Sequence, residues 1–387
     1  MIFSERHDLV RKLARRFAQT ELTSAILDKI EETGEYPKEI LEKLAKAGFF
    51  GIITPRKYGG QGSDYVSYAT VLEELGRVSA VTNIWVSAAN SLGGGPLMLS
   101  GTEEQRLKYL PPIAAGKKIM GFALTEPGAG SDAGGTVTTA LKDGDYYVLN
   151  GRKTFITIAP VADWTIVYAK TDIKKRGANG ISAFIVDMKL PGVSCGKNER
   201  KMGVIGCPTS DIILEDVRVH QDDLLGEENR GFANAMRTLD IGRIGVAAMS
   251  IGLAQGALDE SIRFAKEREQ FGKRIADFQE IGFMIADMAT KLQAAKGLVY
   301  RAAELKDIQS PEAGPAASMA KYFASETCNE IAAKAVQIHG GYGYVKEYKV
   351  ERMYRDCRVF TIFEGTSQIQ KIVIAESLLG RLGGQRK

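Results

Sequence analysis

The segment Ile362-Phe363-Glu364-Gly365-Thr366-Ser367-Gln368-Ile369-Gln370 sets one carboxylate directly after two large apolar residues and before a glycine and a pair of hydroxyls. A carboxylate with apolar neighbours is desolvated, which disfavours its charged form and raises its pKa toward the range useful to a general base near neutral pH. Ser367 and Gln370 stand at capping-box spacing, so the sequence predicts a helix beginning here. An acidic residue just ahead of a helix is also an ordinary feature, because the helix dipole favours negative charge at that end. The segment admits both readings, a proton-transfer site and a plain helix start, and the rest of the chain must separate them.

Three other segments carry residue types suited to holding a ligand. Leu124-Thr125-Glu126-Pro127-Gly128-Ala129-Gly130-Ser131-Asp132 ends a β-rich run in glycines and hydroxyls. Such a loop can turn backbone N–H groups toward an anionic or polar ligand, with Thr125 and Ser131 as extra donors, or it can be only a tight turn. Its glycines do not match GxGxxG, so it is not a dinucleotide fingerprint. Arg268-Glu269-Gln270-Phe271-Gly272, followed by Phe278-Gln279, combines an arginine, amides and aromatics between two helices. That combination suits a pyrophosphate and flat rings, and it equally suits a solvated interhelical turn with hydrophobic plugs. Gln337-Ile338-His339-Gly340-Gly341 closes a helix with a glycine pair, which is ordinary C-capping and also permits close approach of a large planar group.

These segments need elements to position them. Residues 1 to about 120 read as helical, with apolar residues three and four apart in Glu39 to Ala47 and Tyr65 to Arg77. Breakers separate the helices, and Gly93-Gly94-Gly95-Pro96 reads as a helix break. From Gly121 to about Val219 the chain has short β-rich runs: Phe122 to Leu124, Tyr146 to Leu149, Thr154 to Ile158, Trp164 to Ala169, Ile181 to Val186 and Asp211 to Leu214. Asn150-Gly151 between two of them predicts a hairpin, and the short spacing favours an antiparallel sandwich or barrel over a parallel sheet. Lys174-Lys175-Arg176 falls in an interstrand loop, read as a solvated tip or a contact to a ligand phosphate. From Gly231 the helical period returns in Phe232 to Lys266, Phe278 to Asp307 and Pro315 to His339, long segments with tight connections that suggest an antiparallel bundle. The expected fold is mostly α with a central β domain: an N-terminal helical domain over 1–120, a middle antiparallel β sandwich or barrel over 121–228 and a C-terminal helical bundle over 229–387.

Composition narrows the function classes. With 387 residues, 44% hydrophobic and 25% charged, the chain has the make-up of an ordinary globular protein of about two or three domains. A net charge of +4 with mixed signs leaves no footprint for nucleic acid or an anionic membrane. The run Ile244 to Leu258 is shorter than the roughly 20 residues that span a bilayer and reads as a buried helix, so no membrane insertion is expected. Four isolated cysteines and three histidines without ligand spacing predict no disulfide framework, no metal site and a reducing, cytoplasmic setting. Met1 to Leu22 lacks a signal-peptide core and reads as an amphipathic helix with Phe3, Val10, Leu13 and Phe17 on one face; a transit peptide is the lesser alternative.

Taken together, LTEPGAGSD at Leu124 to Asp132, NGRKTFIT at Asn150 to Thr157, REQFGKRIADFQ at Arg268 to Gln279, QIHGGYGY at Gln337 to Tyr344, and RDCR at Arg355 to Arg358 with FEGTSQIQK at Phe363 to Lys371 give the chain a resemblance over nearly its whole length. It resembles the acyl-CoA dehydrogenases, FAD-dependent enzymes with an N-terminal helical domain, a middle β domain and a C-terminal four-helix bundle, usually tetrameric. The resemblance implies flavin contacts at Thr125, Gly130, Ser131, Phe155, Ile156, Thr157, Thr366 and Gln368. It implies binding of the adenosine diphosphate portion across a subunit interface by Arg268, Gln270, Phe271, Gln279, Gln337, Gly340 and Gly341. Acyl-CoA contacts are implied at Ser131, Asp240, Arg243 and Gly365.

Glu364 matches the family's usual base, which removes the α-proton of an acyl-CoA while the β-hydride passes to flavin N5; the thioester oxygen is held by the base's backbone N–H and a flavin ribityl hydroxyl. Some relatives carry the base on the helix before the arginine of the LDxxR segment, where this chain has Gly242, which cannot remove a proton. Relatives acting on glutaryl-CoA place an arginine where Asn83 aligns, which disfavours a dicarboxylate. The resemblance therefore implies oxidation of a short-chain, branched or alicyclic acyl-CoA to its 2-enoyl-CoA, with an electron-transfer flavoprotein as partner. Two alternatives stay open: an enoyl-CoA reductase using the same residues in reverse, and a non-catalytic acyl-CoA-binding flavoprotein.

Overall fold

The computed structural model describes residues 3–175 and 177–380, so Arg176 of the basic loop and Met1 of the first predicted helix lie outside the described residues. The N-terminal helices are α1 (Glu5–Glu21), α2 (Ser24–Thr33), α3 (Lys38–Lys46), α4 (Tyr65–Gly76), α5 (Ala80–Ser87), α6 (Gly94–Ser100) and α7 (Glu103–Ala114). The strands β1 (Met120–Ala123), β2 (Thr139–Asp143), β3 (Tyr146–Thr157), β4 (Trp164–Lys170), β5 (Ile181–Asp187), β6 (Val193–Cys195) and β7 (Thr209–His220) follow. The chain then returns to helices: α8 (Gly231–Glu267), α9 (Gln279–Asp307), α10 (Ala313–His339), α11 (Lys349–Cys357) and α12 (Ser367–Leu379). Along α1 the apolar face is centred on Ala14, Phe17 and Ala18, and Leu13 lies at its margin, 50% exposed.

The axis of the fold is α8, whose run Ile244–Leu258 is core, as its length and composition predict. It is the one helix among the described residues long and apolar enough to cross a membrane, and 94% of that window is packed inside the protein. Its glycines explain how α4 lies so near. A Cβ at Gly252 would stand 2.3 Å from the Glu73 carbonyl oxygen, so only glycine lets the two backbones approach this closely.

Two local signals are overridden by tertiary packing. Gly93-Gly94-Gly95 does not break a helix: a π-helical turn over Ala88–Gly93 carries α5 directly into α6, with helical dihedrals at Gly93 and Gly94. The missing side chain at Gly93 makes room for Met120 of β1, which a Cβ would meet at 3.1 Å. Nor does Asn150-Gly151 turn a hairpin, because β3 runs straight through it and the β2–β3 turn lies at Gly144. The dipeptide instead forms a bulge against β7, where Asn150 Nδ2 donates to Asp216 Oδ1 at 3.0 Å and Asn150 Oδ1 accepts from the Asp216 N–H at 2.9 Å.

The strands form one seven-stranded sheet in the order β1-β4-β2-β3-β7-β6, with β5 on β4. Its pairings are antiparallel as expected, with one correction. β1 and β4 run parallel, and Thr139 of β2 makes one parallel pair with Lys170 of β4. The cause is topological: the β2–β3 hairpin intervenes between β1 and β4, so the chain re-enters in the direction it left. A cluster formed by Leu97, Tyr109, Ile113, Ile166, Tyr168 and Ala235 joins the sheet to helices from both flanking domains. The larger helical core unites the N-terminal helices with α8, α9 and α10.

Candidate active site

Glu364 lies in the short link between α11 and α12, with φ +52° and Gly365 after it at φ +92°. A left-handed conformation at a residue with a side chain costs roughly 1–2 kcal/mol, so surrounding contacts must hold it. Lys321 Nζ donates to the Gly365 carbonyl at 2.7 Å, and Gln370 Nε2 donates to the Gly365 carbonyl at 2.8 Å and the Glu364 carbonyl at 3.3 Å. The helix begins here as predicted, but its cap lies one residue earlier. Thr366 Oγ1 accepts from the Ile369 N–H, while Ser367 Oγ donates to Glu326. Gln370 is thus used to hold the turn that carries Glu364.

The Glu364 side chain reaches α8. A Cβ on Gly242 would stand only 1.7 Å from Glu364 Oε2, so the carboxylate occupies the space that any side chain at 242 would fill. The residue keeps some exposed surface, yet Oε2 itself is sealed from solvent and has no hydrogen-bond partner. Burial pushes the carboxyl up to about 7, against the opposing pull of the Lys321 and Arg243 charges. Arg243 is buried beside it, with Nη1 donating to Asp240 Oδ1 at 2.8 Å and Nε left without a partner. The Glu364 backbone N–H likewise donates to no acceptor among the described residues. A sealed acid poised near neutrality, beside a free N–H, is an arrangement that can move a proton next to a carbonyl whose oxygen gains charge.

A second group surrounds the loop between β1 and β2. Thr125 is tied by its carbonyl to the Thr154 N–H at 2.9 Å, and Gly130 and Ser131 are exposed at the tip. In β3, Phe155 is 65% exposed with φ +56°, forced out by a second bulge, while Ile156 turns into the sheet core and presents only its backbone. Thr157 is half-buried.

Behind this loop lies a pair that sequence reading missed. Lys153 Nζ donates to Glu126 Oε1 at 2.7 Å, to Thr136 Oγ1 at 2.9 Å and to the Leu124 carbonyl at 3.1 Å, all fully inside the protein. Glu126 also accepts from the Thr136 hydroxyl and the Val137 and Thr138 N–H groups, which shapes the whole loop. The signal was there: Tyr147 and Leu149 point inward along β3, and carrying that alternation forward puts Lys153 inside.

Burial works against the Glu126 charge, but Lys153 and the hydrogen bonds hold the carboxyl down at about 2, below its ordinary 4.5. Its folded pKa is depressed, so its contribution to stability is present above about 4.5 and is lost as pH falls toward about 2. Lys153→Met is expected to destabilise the protein by about 3–5 kcal/mol by stranding Glu126, while adding Glu126→Gln should restore part of the loss. Denaturant unfolding of the two variants checks this.

A third group lies on the surface of the C-terminal domain. A small hairpin, Glu269–Gln270 paired with Lys273–Arg274, carries Phe271 at its tip, 92% exposed. Arg268 stands 5.1 Å from the Tyr342 ring, beside Gly340 and Gly341, and Gln337 is exposed at the end of α10. Gln279 opens α9. No hydrogen bond, ion pair or ring contact among the described residues joins this group to Glu364 or to the 125–131 loop. Thr366 is half-buried as the α12 cap, Gln368 is exposed, and Asp240 is held by Arg243. Asn83 is buried and donates to the Leu72 carbonyl at 2.7 Å.

The chain matches the acyl-CoA dehydrogenase N-terminal domain over residues 4–117, the middle domain over 121–217 and the C-terminal domain over 229–379. The chain belongs to the acyl-CoA dehydrogenase family. It is 67% identical, over 98% of its length and 100% of the relative's, to a caffeyl-CoA reductase–Etf complex subunit of Acetobacterium woodii. To a 3-(aryl)acrylate reductase of Clostridium sporogenes it is 58% identical over the same shares. An acyl-CoA dehydrogenase of Bacillus anthracis solved with FAD superposes with a TM-score of 0.91 at 37% identity, covering 97% of this chain and 67% of that one.

This family member uses FAD, and its own residues fit that group. At Gly128, Gly130, Gly272, Gly340 and Gly341 a Cβ would meet nothing within 4 Å, which leaves open backbone for a long ligand. Phe155 and Phe271 offer exposed aromatic faces. When bound, FAD supplies a two-electron acceptor or donor for the β-carbon of the substrate.

Proposed function

We propose that Glu364 transfers the α-proton of a coenzyme A thioester during flavin-dependent oxidation or reduction of its Cα–Cβ bond. The observation that carries this is the sealed, partnerless Glu364 Oε2 packed against Gly242. The carboxylate form removes the α-proton of a saturated thioester, and the acid form returns it to an enoyl thioester. The free Glu364 N–H is suited to the thioester oxygen as it gains charge in either direction. Arg243, Asp240, Ser131 and Gly365 are the proposed contacts to the thioester, and the residues of the other two groups are the proposed contacts to FAD.

With the carboxyl near 7, oxidation strengthens as pH rises through that value and reduction strengthens as it falls. Two substrate readings share the site. Oxidation would take a short-chain, branched or alicyclic acyl-CoA, whereas the reductase names of the 67% and 58% identical relatives favour reduction of an aryl-substituted propenoyl-CoA. An electron-transfer flavoprotein is the proposed redox partner, as the name of the first relative supports. The separation of the hairpin group from the other two supports completion of the FAD site by a second chain, and the family resemblance supports a homotetramer.

The test uses the yellow holoprotein without oxygen, its mass first checked by light scattering for four chains. Butyryl-, isovaleryl-, cyclohexanecarbonyl- and 3-phenylpropionyl-CoA are added while flavin absorbance is followed; the reduced protein is then challenged with cinnamoyl-CoA. Bleaching by one saturated class supports oxidation of that class, and fast recolouring by cinnamoyl-CoA supports the aryl reductive reading. Absence of both removes the proposed function.

A further inference from the structure

Lys321 lies within α10, fully buried. Lysines are almost never buried this completely without a pairing carboxylate. Among the described residues, however, the Lys321 ammonium forms no ion pair; its hydrogen bond goes to the Gly365 carbonyl, the residue directly after Glu364. Gln370 meets the same carbonyl from α12 and also reaches the Glu364 carbonyl. Two helices thus grip the two left-handed residues that aim the carboxyl at Gly242.

The charged and titratable groups around Glu364 are few. α8 contributes Arg243, whose charge faces Asp240 as well as Glu364. α4 contributes Tyr68, which is hydrogen-bonded to Ser87. α10 contributes Lys321 and Glu326, and Glu326 is occupied by the Ser367 hydroxyl. Arg243 has a carboxylate of its own, so Lys321 is the buried cation left to act on Glu364 without a competing ion pair.

We propose that Lys321 is a positioning residue for proton transfer at Glu364, holding the left-handed turn through the Gly365 carbonyl and keeping a buried cation close to that turn. The inference rests on Glu364 as the proton-transfer group. Burial alone would keep Glu364 protonated to higher pH, and a nearby cation opposes that. Burial also lowers Lys321 from its ordinary value, while the Glu364 charge favours its cationic form, so the two groups titrate as a coupled pair. The oxidative profile should rise through an acid limb whose position belongs to the coupled pair rather than to Glu364 alone.

The test compares three variants as holoproteins, with FAD content and thermal midpoint recorded. Lys321→Gln keeps a donor for Gly365 and removes the charge; Lys321→Met removes both; Lys321→Arg keeps the charge. The readouts are kcat, KM and the pH profile of α-proton exchange into a saturated acyl-CoA in deuterated water, which needs the base but no net turnover. Lys321→Gln is expected to move the acid limb up by about one pH unit with its plateau nearly intact. Lys321→Met should show the same shift and also lose about tenfold at the plateau, in kcat rather than KM. Lys321→Arg should keep the parental limb even if its plateau drops.

An unshifted acid limb in Lys321→Gln overturns the electrostatic role, and equal plateaus in the Gln and Met variants overturn the positioning role. Should Lys321→Met fail to fold, the Gln and Arg contrast still decides the charge, and Lys321→Ala, which removes the donor without filling the space, decides the positioning by its plateau against that of Lys321→Gln. Glu364→Gln is run alongside. Exchange surviving in that variant removes the reading of Glu364 itself; exchange lost there with an unmoved limb in Lys321→Gln removes only the role of Lys321.

Discussion

Replacing Glu364 by glutamine is expected to lower turnover by about 10² to 10⁴-fold while FAD content stays at the parental level. The amide keeps the shape of the side chain and the contact with α8 but cannot take or give the proton. Single-turnover flavin reduction isolates that step, and the parental limb near pH 7 should vanish with it. A second readout follows from the same burial. The folded carboxyl titrates above its ordinary 4.5, so its favourable contribution to stability is complete at pH below that value and is lost as pH rises through about 7. Glu364→Gln should therefore raise the thermal midpoint relative to the parent more at pH 8 than at pH 5. Turnover within tenfold of the parent would mean that another group moves the proton.

Gly242→Ala is expected to separate activity from stability. Its new methyl would stand 1.7 Å from Glu364 Oε2 and 2.8 Å from Cδ, so the carboxyl must retreat. An ordinary contact requires a shift of about 1.5 Å. Misplacing a catalytic group by roughly 1 Å can reduce turnover about 10²-fold. Yet alanine is favoured over glycine in a helix interior by about 0.5–1 kcal/mol, so the thermal midpoint should hold or rise as the rate falls. Kinetics and calorimetry on the same preparation check both halves. Parental turnover would show that the carboxyl has room to move and that its contact with α8 does not fix it.

The sequence made the long helices legible because the 3.6-residue period is a local property. The segments predicted as Phe232 to Lys266, Phe278 to Asp307 and Pro315 to His339 are observed as Gly231–Glu267, Gln279–Asp307 and Ala313–His339. It misled where a local signal serves a distant contact. Asn150-Gly151 has the composition of a tight turn, but its role is a bulge fixed by Asp216, 66 residues away. The glycines at 93–95 look like a break and instead leave space for β1 and α8.

The Glu364 segment shows both sides. Its residues and their resemblance to a known family pointed to the carboxylate, but Ile362 is 51% exposed and cannot be the wall that desolvates it. That wall includes α8 at Gly242, more than a hundred residues earlier in the chain, and no reading of neighbours along the sequence could have placed it there. The Lys153–Glu126 pair was hidden for the same reason, though strand alternation held half of the clue.

The contact between Glu364 and Gly242 also bears on ancestry. One volume would serve both the proposed loop base of this chain, Glu364, and a base placed on α8 at position 242, so the two are alternatives rather than neighbours. A lineage moving its base from one to the other by single substitutions must pass through a chain with no base at all, or through one in which two carboxylates compete for the same space. Both intermediates would lack a well-placed base and lose the rate it contributes, so selection would act against them. The place of the base should therefore descend largely unchanged within a lineage, even while the acyl group it acts upon drifts.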